Sequence, residues 1–210
     1  MKRILTLLLC LTLLTGISAS PALAAPDWPS NVSVEAEGAI LMDARSGAVL
    51  YGKNLHAVYY PASITKILTA LIVIEHCNLD DVVTFSHDAI YSVEQGSSSA
   101  GMDAGDKMTV RDCLYAMLLK SANEVANALA EHTAGSIKNF AVLMNAKAKE
   151  LGCQESHFNN PSGLNDPQHY TSAYDMALIA QAAFQNETFV TIDSSLYYDL
   201  PPTRHNPDGF

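Results

Sequence analysis

Ser63 and Lys66 are the residues of this sequence whose types and spacing most directly suggest covalent chemistry. They stand in PASITKILTA (61–70), at the start of an apolar run with helical periodicity. Residues three apart share a helix face, so the lysine amine can reach the serine hydroxyl. Lysine activates a serine when burial and the positive end of a helix dipole lower its pKa. The first turn of such a helix also offers a free backbone N–H, that of Ser63, for an oxyanion.

The Ser-x-x-Lys pattern is weak evidence alone, because a chain of this composition contains about one such match by chance. In the alternative interpretation, Ser63 caps a helix and Lys66 is a solvated side chain. A second pattern, Ser121-Ala122-Asn123, follows at the junction of two predicted helices. The order Ser-x-x-Lys, then Ser-x-Asn, is typical of penicillin-binding proteins and class A β-lactamases, which add a Lys-Thr-Gly motif. This order favours the catalytic interpretation.

Longer stretches around both motifs resemble the D-alanyl-D-alanine carboxypeptidases, low-molecular-mass penicillin-binding proteins of the serine peptidase type. The resemblance covers about residues 38–200 and rests on YYPASITKILTAL (59–71), LLKSANEVANALAEHTAGS (118–136), FAVLMNAKAKELG (140–152), SHFNNPSGLND (156–166) and HYTSAYDMALIA (169–180). It implies an α+β fold, β-lactamase/transpeptidase-like, in which a helical subdomain packs on an antiparallel sheet.

The resemblance also implies roles for four residues. Ser63 would be the acylated nucleophile and Lys66 its proton acceptor. Ser121 would relay a proton to the departing D-alanine. Asn123 would bind the substrate's peptide group and help to position Lys66. The implied activity is removal of the terminal D-alanine from peptidoglycan stem peptides ending in D-Ala-D-Ala, with β-lactam antibiotics as inhibitors. No cofactor and no metal are implied.

The sequence departs from the family pattern in two respects. Glu124 follows the Ser-x-Asn motif where the family often has Asp. No Lys-Thr-Gly occurs; Arg45-Ser46-Gly47 imitates it but precedes Ser63 in a predicted hairpin turn, so we interpret it as structural. We therefore expect a chain truncated before the Lys-Thr-Gly strand, with an incomplete sheet and no activity as a 210-residue piece. Any membrane attachment is expected through the missing C-terminus.

The pattern of apolar and turn residues predicts the order of the elements. We expect a β-hairpin over 38–52, a buried helix over 63–76, and short strands at 82–85 and 107–109. Helices are expected over about 110–119, 122–134, 136–151 and 172–185, and a strand over 190–200. Between these elements lie the small-residue loop Gly96–Gly101, which is either a cleft rim or a plain surface loop, and the turn-rich loop 159–167.

The first 24 residues read as a signal peptide. Lys2 and Arg3 precede the apolar run 4–14, and Ala22-Leu23-Ala24 forms a small-x-small cleavage site. The domain prediction is thus signal peptide 1–24 and catalytic domain 25–210, on the extracytoplasmic face of the cell envelope. Among the mature cysteines, Cys77, Cys113 and Cys153, at least one thiol must be free, and Cys77 and Cys113 are expected to be buried.

Composition and motif searches argue against other functions. The formal net charge of −10 argues against a nucleic-acid partner. The seven histidines show no ligand-like cluster, so zinc is not expected. A triad of a serine with His169 and Asp175 is disfavoured, because Asp175 suits the first turn of a helix and His169 a loop. Two alternative functions remain open: a serine β-lactamase, and a non-catalytic cell-wall module of the same fold.

Overall fold

The computed structural model describes residues 32–209, which begin with the β-hairpin that the sequence predicts. Strand β1 (Ala39–Met42) pairs antiparallel with β2 (Val49–Lys53). In the turn between them, the Asp43 carboxylate accepts hydrogen bonds from the backbone N–H and the hydroxyl of Ser46, at 2.7 and 2.6 Å. Arg45-Ser46-Gly47 is therefore a hairpin turn, as expected, and not a substrate-binding strand.

The segment that carries Ser63 and Lys66 runs from a short strand into the central helix. Strand β3 (Val58–Tyr59) leads to a 3-10 turn (Ala62–Thr65) and then to α1 (Lys66–His76). The sequence predicts α-helix from Ser63, but the first turn is 3-10 and the α-helix starts at Lys66. The predicted interior position is confirmed, because six consecutive residues of α1 are each at most 2% exposed: Leu68, Thr69, Ala70, Leu71, Ile72 and Val73.

The segment between α1 and the next long helix contains one helix that the sequence analysis missed. Strand β4 (Val82–Thr84) pairs antiparallel with β5 (Lys107–Thr109), near the predicted positions. Between them lies α2 (His87–Tyr91), where the Ser86 hydroxyl accepts a hydrogen bond from the Ala89 N–H at 2.9 Å. This cap starts a single short turn of helix, too brief to leave a clear apolar period.

Three helices follow at the predicted places and pack around α1. They are α3 (Val110–Lys120), α4 (Asn123–Ala134) and α5 (Ile137–Glu150). Thr109 and Asp112 form a capping box at the start of α3. Gly135, with φ +76°, ends α4 in the left-handed conformation that glycine tolerates best.

The last part of the described chain contains one helix that the sequence predicts and one helix where the sequence predicts a strand. Strand β6 (Thr171–Ser172) pairs with β3 and leads into α6 (Ala173–Phe184), as expected. The predicted strand over 190–200 is wrong, because α7 (Glu187–Asp193) occupies its first part and residues 194–200 form no regular element. The Asn186 side chain caps α7 by accepting from two backbone N–H groups, and Phe189 and Ile192 share its buried face.

The architecture of residues 32–209 is helices around α1 with three separate two-stranded sheets, β1–β2, β3–β6 and β4–β5. The outer edge of β1 has no strand beside it in this part of the chain. Between β1 and α6 lies a groove of about 790 Å³, which we call the β1 groove. Its lining is mostly apolar and includes Ile40, Leu41, Ile64, Met176 and Phe184. The α+β architecture is therefore as predicted, and its sheets are small.

The cysteines and the helix lengths complete the description. Cys77, Cys113 and Cys153 are free thiols. Cys113 is fully buried as predicted, whereas Cys77 is half-buried beside the Thr133 hydroxyl, 3.3 Å from its sulfur. None of the helices within residues 32–209 has the length and apolar character that a membrane crossing needs.

Candidate active site

Ser63 lies exposed on the 3-10 turn, directly in front of the buried Lys66. The Lys66 Nζ atom is 3.2 Å from Ser63 Oγ, so the amine and the hydroxyl share a hydrogen bond. The residue before the serine, Ala62, has φ +50°, an uncommon backbone conformation for a residue with a side chain. The turn therefore holds the hydroxyl in a specific position that a regular first helical turn would not give.

Lys66 is surrounded by hydrogen-bond acceptors. Its Nζ donates to Asn123 Oδ1 at 2.8 Å and to the Ser162 backbone carbonyl at 2.7 Å, besides its contact with Ser63. These three acceptors match the three N–H donors of an ammonium group. A neutral amine would keep two of them and direct its lone pair at the third position, the serine hydroxyl. The arrangement can therefore move a proton between Ser63 and Lys66.

Burial changes the acidity of Lys66. The side chain is 3% exposed, and this desolvation lowers the pKa of Lys66 to about 8, while the negative charge of Glu124 acts in the opposite direction. A substantial fraction of the amine is consequently neutral near pH 8. This fraction is what a lysine needs in order to act as a general base.

Ser121 and Asn123 lie at the junction of α3 and α4. Ser121 has φ +56° and ends α3 in the left-handed conformation, and its Oγ is buried with no hydrogen-bond partner among residues 32–209. Asn123 begins α4 and points its Oδ1 at Lys66, which leaves its Nδ2 donors free for another group. Of the four predicted site residues, Ser63, Lys66 and Asn123 are joined directly by hydrogen bonds. The role of Ser121 stays a prediction.

The loop 159–167 supplies a contact that sequence reasoning did not assign to the site. Asn160 Oδ1 accepts hydrogen bonds from the Ser162 N–H, the Ser162 hydroxyl and the Gly163 N–H, at 3.2, 3.1 and 2.7 Å. This turn aims the Ser162 carbonyl at Lys66. The stretch PSGLND was noticed as part of a turn-rich loop and of the family resemblance, but not for this contact, since a backbone carbonyl has no signature in the sequence.

His169 holds the same loop region against the turn that carries Ser63. Its Nδ1 accepts from the Asn159 N–H at 3.0 Å, so its Nε2 carries the proton and donates to Thr65 Oγ1 at 2.9 Å. Burial lowers the pKa of His169 to about 4, which keeps the ring neutral. Asp175 instead accepts from Glu155 N–H and Ser156 Oγ, each at 2.7 Å. As expected, the two residues do not form a catalytic triad with Ser63.

A cleft of about 410 Å³ opens in front of Ser63. One wall carries Asn123 and Gly96–Ser98, and the other carries residues 162–165. Of the two interpretations of the Gly96–Gly101 loop, the cleft rim is correct for its first part. We call residues 96–101 the rim loop.

Comparison with known proteins identifies the family of the chain. The family model described as D-alanyl-D-alanine carboxypeptidase matches residues 24–195. The D-alanyl-D-alanine carboxypeptidase DacF of Bacillus subtilis is 37% identical to the chain, over 99% of the chain and 54% of that relative. DacD of Escherichia coli is 32% identical, over 89% of the chain and 50% of that relative. The chain thus spans about half the length of these curated relatives.

Solved structures with the same fold belong to the same group of enzymes. Penicillin binding protein 6B from Escherichia coli superposes with a TM-score of 0.76 at 31% identity, over 86% of this chain and 60% of that one. The D-alanyl-D-alanine carboxypeptidase from Mycobacterium tuberculosis gives 0.76 at 30% identity, over 85% and 70%. The predicted penicillin-binding/transpeptidase fold is confirmed, and the chain belongs to the D-alanyl-D-alanine carboxypeptidase family.

Proposed function

We propose that the whole protein is a serine-type D-Ala-D-Ala carboxypeptidase that uses Ser63, Lys66, Ser121 and Asn123. The neutral Lys66 amine removes the Ser63 proton, and the oxygen attacks the carbonyl carbon of the penultimate D-alanine. The bond to the terminal D-alanine then breaks. Its nitrogen takes the proton back from the Lys66 ammonium by way of the Ser121 hydroxyl. Water hydrolyses the Ser63 ester and releases the shortened peptide.

One observation supports this proposal above the others, namely the short contact between Ser63 and a buried lysine of lowered pKa. A solvated lysine would stay protonated at neutral pH and could not accept the proton. The Asn123 amide, with its Oδ1 on Lys66, retains two N–H donors for the peptide carbonyl of the substrate. The Ser63 N–H at the first turn is the oxyanion donor that we propose.

The β-lactamase alternative requires a group that activates the deacylating water. Among residues 32–209, none of those that line the cleft is an Asp or a Glu, so they supply no carboxylate base for that water. We therefore favour slow release of a β-lactam acyl group over its rapid turnover. The non-catalytic alternative is disfavoured by the intact hydrogen bonds of Lys66, because a binding module does not need a buried lysine.

We also propose that further strands complete the sheet on the free edge of β1 and carry the Lys-Thr-Gly motif. The β1 groove supports this, because its apolar residues Leu41, Ile64 and Phe184 are 57%, 50% and 49% exposed. Burial of such a face against additional strands stabilises a sheet that is marginal as a two-stranded ribbon. Domain boundaries at 24/25, export by a signal peptide, and an extracytoplasmic or membrane-associated location belong to the same proposal.

The proposal is tested with fluorescent penicillin on the protein of full natural length. We expect one covalent label per molecule at Ser63, none in Ser63→Ala, and D-alanine release from a peptide ending in D-Ala-D-Ala. Continuous hydrolysis of penicillin without stable labelling would instead support the β-lactamase. A folded wild-type protein that neither labels nor releases D-alanine would support the non-catalytic module.

A further inference from the structure

Glu124 is a buried carboxylate beside the site that the mechanism above does not use. It lies in the first turn of α4, directly after Asn123, and is 1% exposed. A charged side chain this deeply buried is rare unless its oxygens are bonded. One oxygen is bonded to the rim loop, and the other, Oε2, has no hydrogen-bond partner within the described part of the chain.

The bonded oxygen connects α4 to the cleft wall. Glu124 Oε1 accepts from the Ser99 hydroxyl and from the Ala100 N–H, both at 2.7 Å. The adjacent Asn123 N–H donates to the Ser98 carbonyl at 3.0 Å. Three hydrogen bonds thus connect the first two residues of α4 to three consecutive rim-loop residues. Since Ser98 lines the cleft, the position of the wall depends on Glu124.

The charge of Glu124 also acts on Lys66. Burial lowers the pKa of Lys66, and the negative charge of Glu124 raises it within the described part of the chain. The other buried titratable group beside the turn that carries Ser63 is His169, whose pKa of about 4 keeps it neutral at working pH. Among the described residues, burial and this carboxylate therefore act in opposite directions on the protonation of the proposed base.

We propose that Glu124 is a positioning residue for the proposed acylation, fixing the rim loop through one oxygen and supplying the negative charge that favours the Lys66 ammonium. The inference rests on the proposed function, in which Lys66 must lose and regain a proton. The ammonium form is the one that returns a proton to the leaving amine. A buried carboxylate close by keeps this form accessible when desolvation alone would disfavour it.

Two substitutions separate the two effects. In Glu124→Gln the amide oxygen can still accept from Ser99 and Ala100, but the charge is gone. We expect the low-pH limb of the acylation profile to move to lower pH by about half a unit or more, with the plateau rate within about threefold. In Glu124→Asp the charge stays, but the shorter side chain cannot reach the rim loop. We expect the low-pH limb of the acylation profile to stay at the same pH and the acylation efficiency to fall about tenfold.

Controls and direct readouts accompany these variants in the full-length protein. Glu131→Gln removes a charge from the same helix about 10 Å further along. It should leave the acylation profile and the Lys66 titration unchanged. Ser99→Ala deletes the hydroxyl that donates to Glu124 and accepts from the Gly101 N–H, but keeps the Glu124 side chain, so it tests positioning even if Glu124→Asp fails to fold. Hydrogen exchange at the Ala100 amide should speed up at least tenfold in Glu124→Asp. The midpoint of the Lys66 titration, followed by NMR, should move to lower pH in Glu124→Gln.

An unchanged Lys66 titration in Glu124→Gln would overturn the electrostatic part of the inference. Unchanged Ala100 exchange and acylation in both Glu124→Asp and Ser99→Ala would overturn the positioning part. Both physical readouts are independent of activity. If the full-length wild-type protein never acylates, the proposed function is wrong. If the variants still change the Lys66 titration and the Ala100 exchange as expected, the effects of Glu124 on Lys66 and on the rim loop remain valid.

Discussion

Gly163 packs directly on the backbone of Ala62, so closely that a β-carbon at position 163 would lie 1.8 Å from the Ala62 carbonyl oxygen. The same glycine has φ +83°, which L-residues rarely adopt. This contact brings the loop that presents the Ser162 carbonyl against the turn that carries Ser63. The distance between Lys66 and the Ser162 carbonyl therefore depends on the absence of a single methyl group.

Replacing Gly163 with alanine should move the loop 159–167 away from the turn that carries Ser63. Because displacements of about 1 Å in an active site reduce rates strongly, we expect Gly163→Ala to slow penicillin acylation by about 100-fold or more. Gly152→Ala is the matched control, since Gly152 has φ +90° but open space where its β-carbon would be. It should lose about 1 kcal/mol of stability and acylate normally. Equal acylation by both variants would contradict the proposed importance of the contact.

The acylation rate should rise with pH through the titration of Lys66. Since burial lowers the pKa of Lys66 to about 8, the neutral fraction increases up to and beyond that pH. We expect acylation at pH 6 to be about 100-fold slower than at the alkaline plateau, measured by stopped-flow or quenched penicillin labelling. Lys66→Arg keeps the charge but not the titratable amine, and should lose at least about 1000-fold. A flat profile between pH 6 and 9 would argue against a lysine base.

Substitution of Asn123 by aspartate should move the pH profile of acylation to higher pH, whereas Glu124→Gln should move it to lower pH. The new carboxylate would replace an amide oxygen 2.8 Å from Lys66 Nζ and would favour the ammonium form. We expect the midpoint of the acylation profile to rise by about one pH unit or more. Asn123→Ala removes the same hydrogen bond without adding charge, so it should weaken acylation without moving the midpoint upward. Identical midpoints in the two variants would rule out this electrostatic effect.

His169 should make the protein less stable in mild acid. Burial lowers its pKa from 6.5 to about 4, so the unfolded chain binds the proton more tightly than the folded one. The free energy of unfolding therefore falls as pH drops below 6.5 and continues to fall towards pH 4. Between pH 7 and pH 5 we expect wild type to lose about 2 kcal/mol more than His169→Gln, by urea unfolding. Parallel losses in both proteins would show that His169 does not titrate this way.

The long helices could be predicted from the sequence because their apolar periodicity is strong. The helix carrying Leu68 and Ile72, and those after Thr109 and Ser172, appear where the pattern predicts them. The predicted strand over 190–200 is wrong. The Asn186 cap and the burial of Phe189 decided for helix instead. Local propensity was overruled by tertiary packing.

The site was only partly readable from sequence, for a physical reason. Ser63, Lys66 and Asn123 have side chains of types that can perform chemistry, and such residue types in a fixed order can be recognised. The Ser162 carbonyl is a backbone atom, and its contribution appears only when the chain is folded. Glu124 was noticed as a departure from the family pattern, but its bonds to the rim loop depend on a contact between segments 24 and 25 residues apart. Long-range contacts of this kind leave no local pattern.

Lys66 is hydrogen-bonded at once to chain positions 57 and 96 residues away from it. A nascent polypeptide that does not yet include Ser162 cannot bring these positions together. Under the proposed function, reactivity towards penicillin would therefore arise only in molecules that have finished folding. The amount of bound penicillin would then report the number of correctly folded molecules.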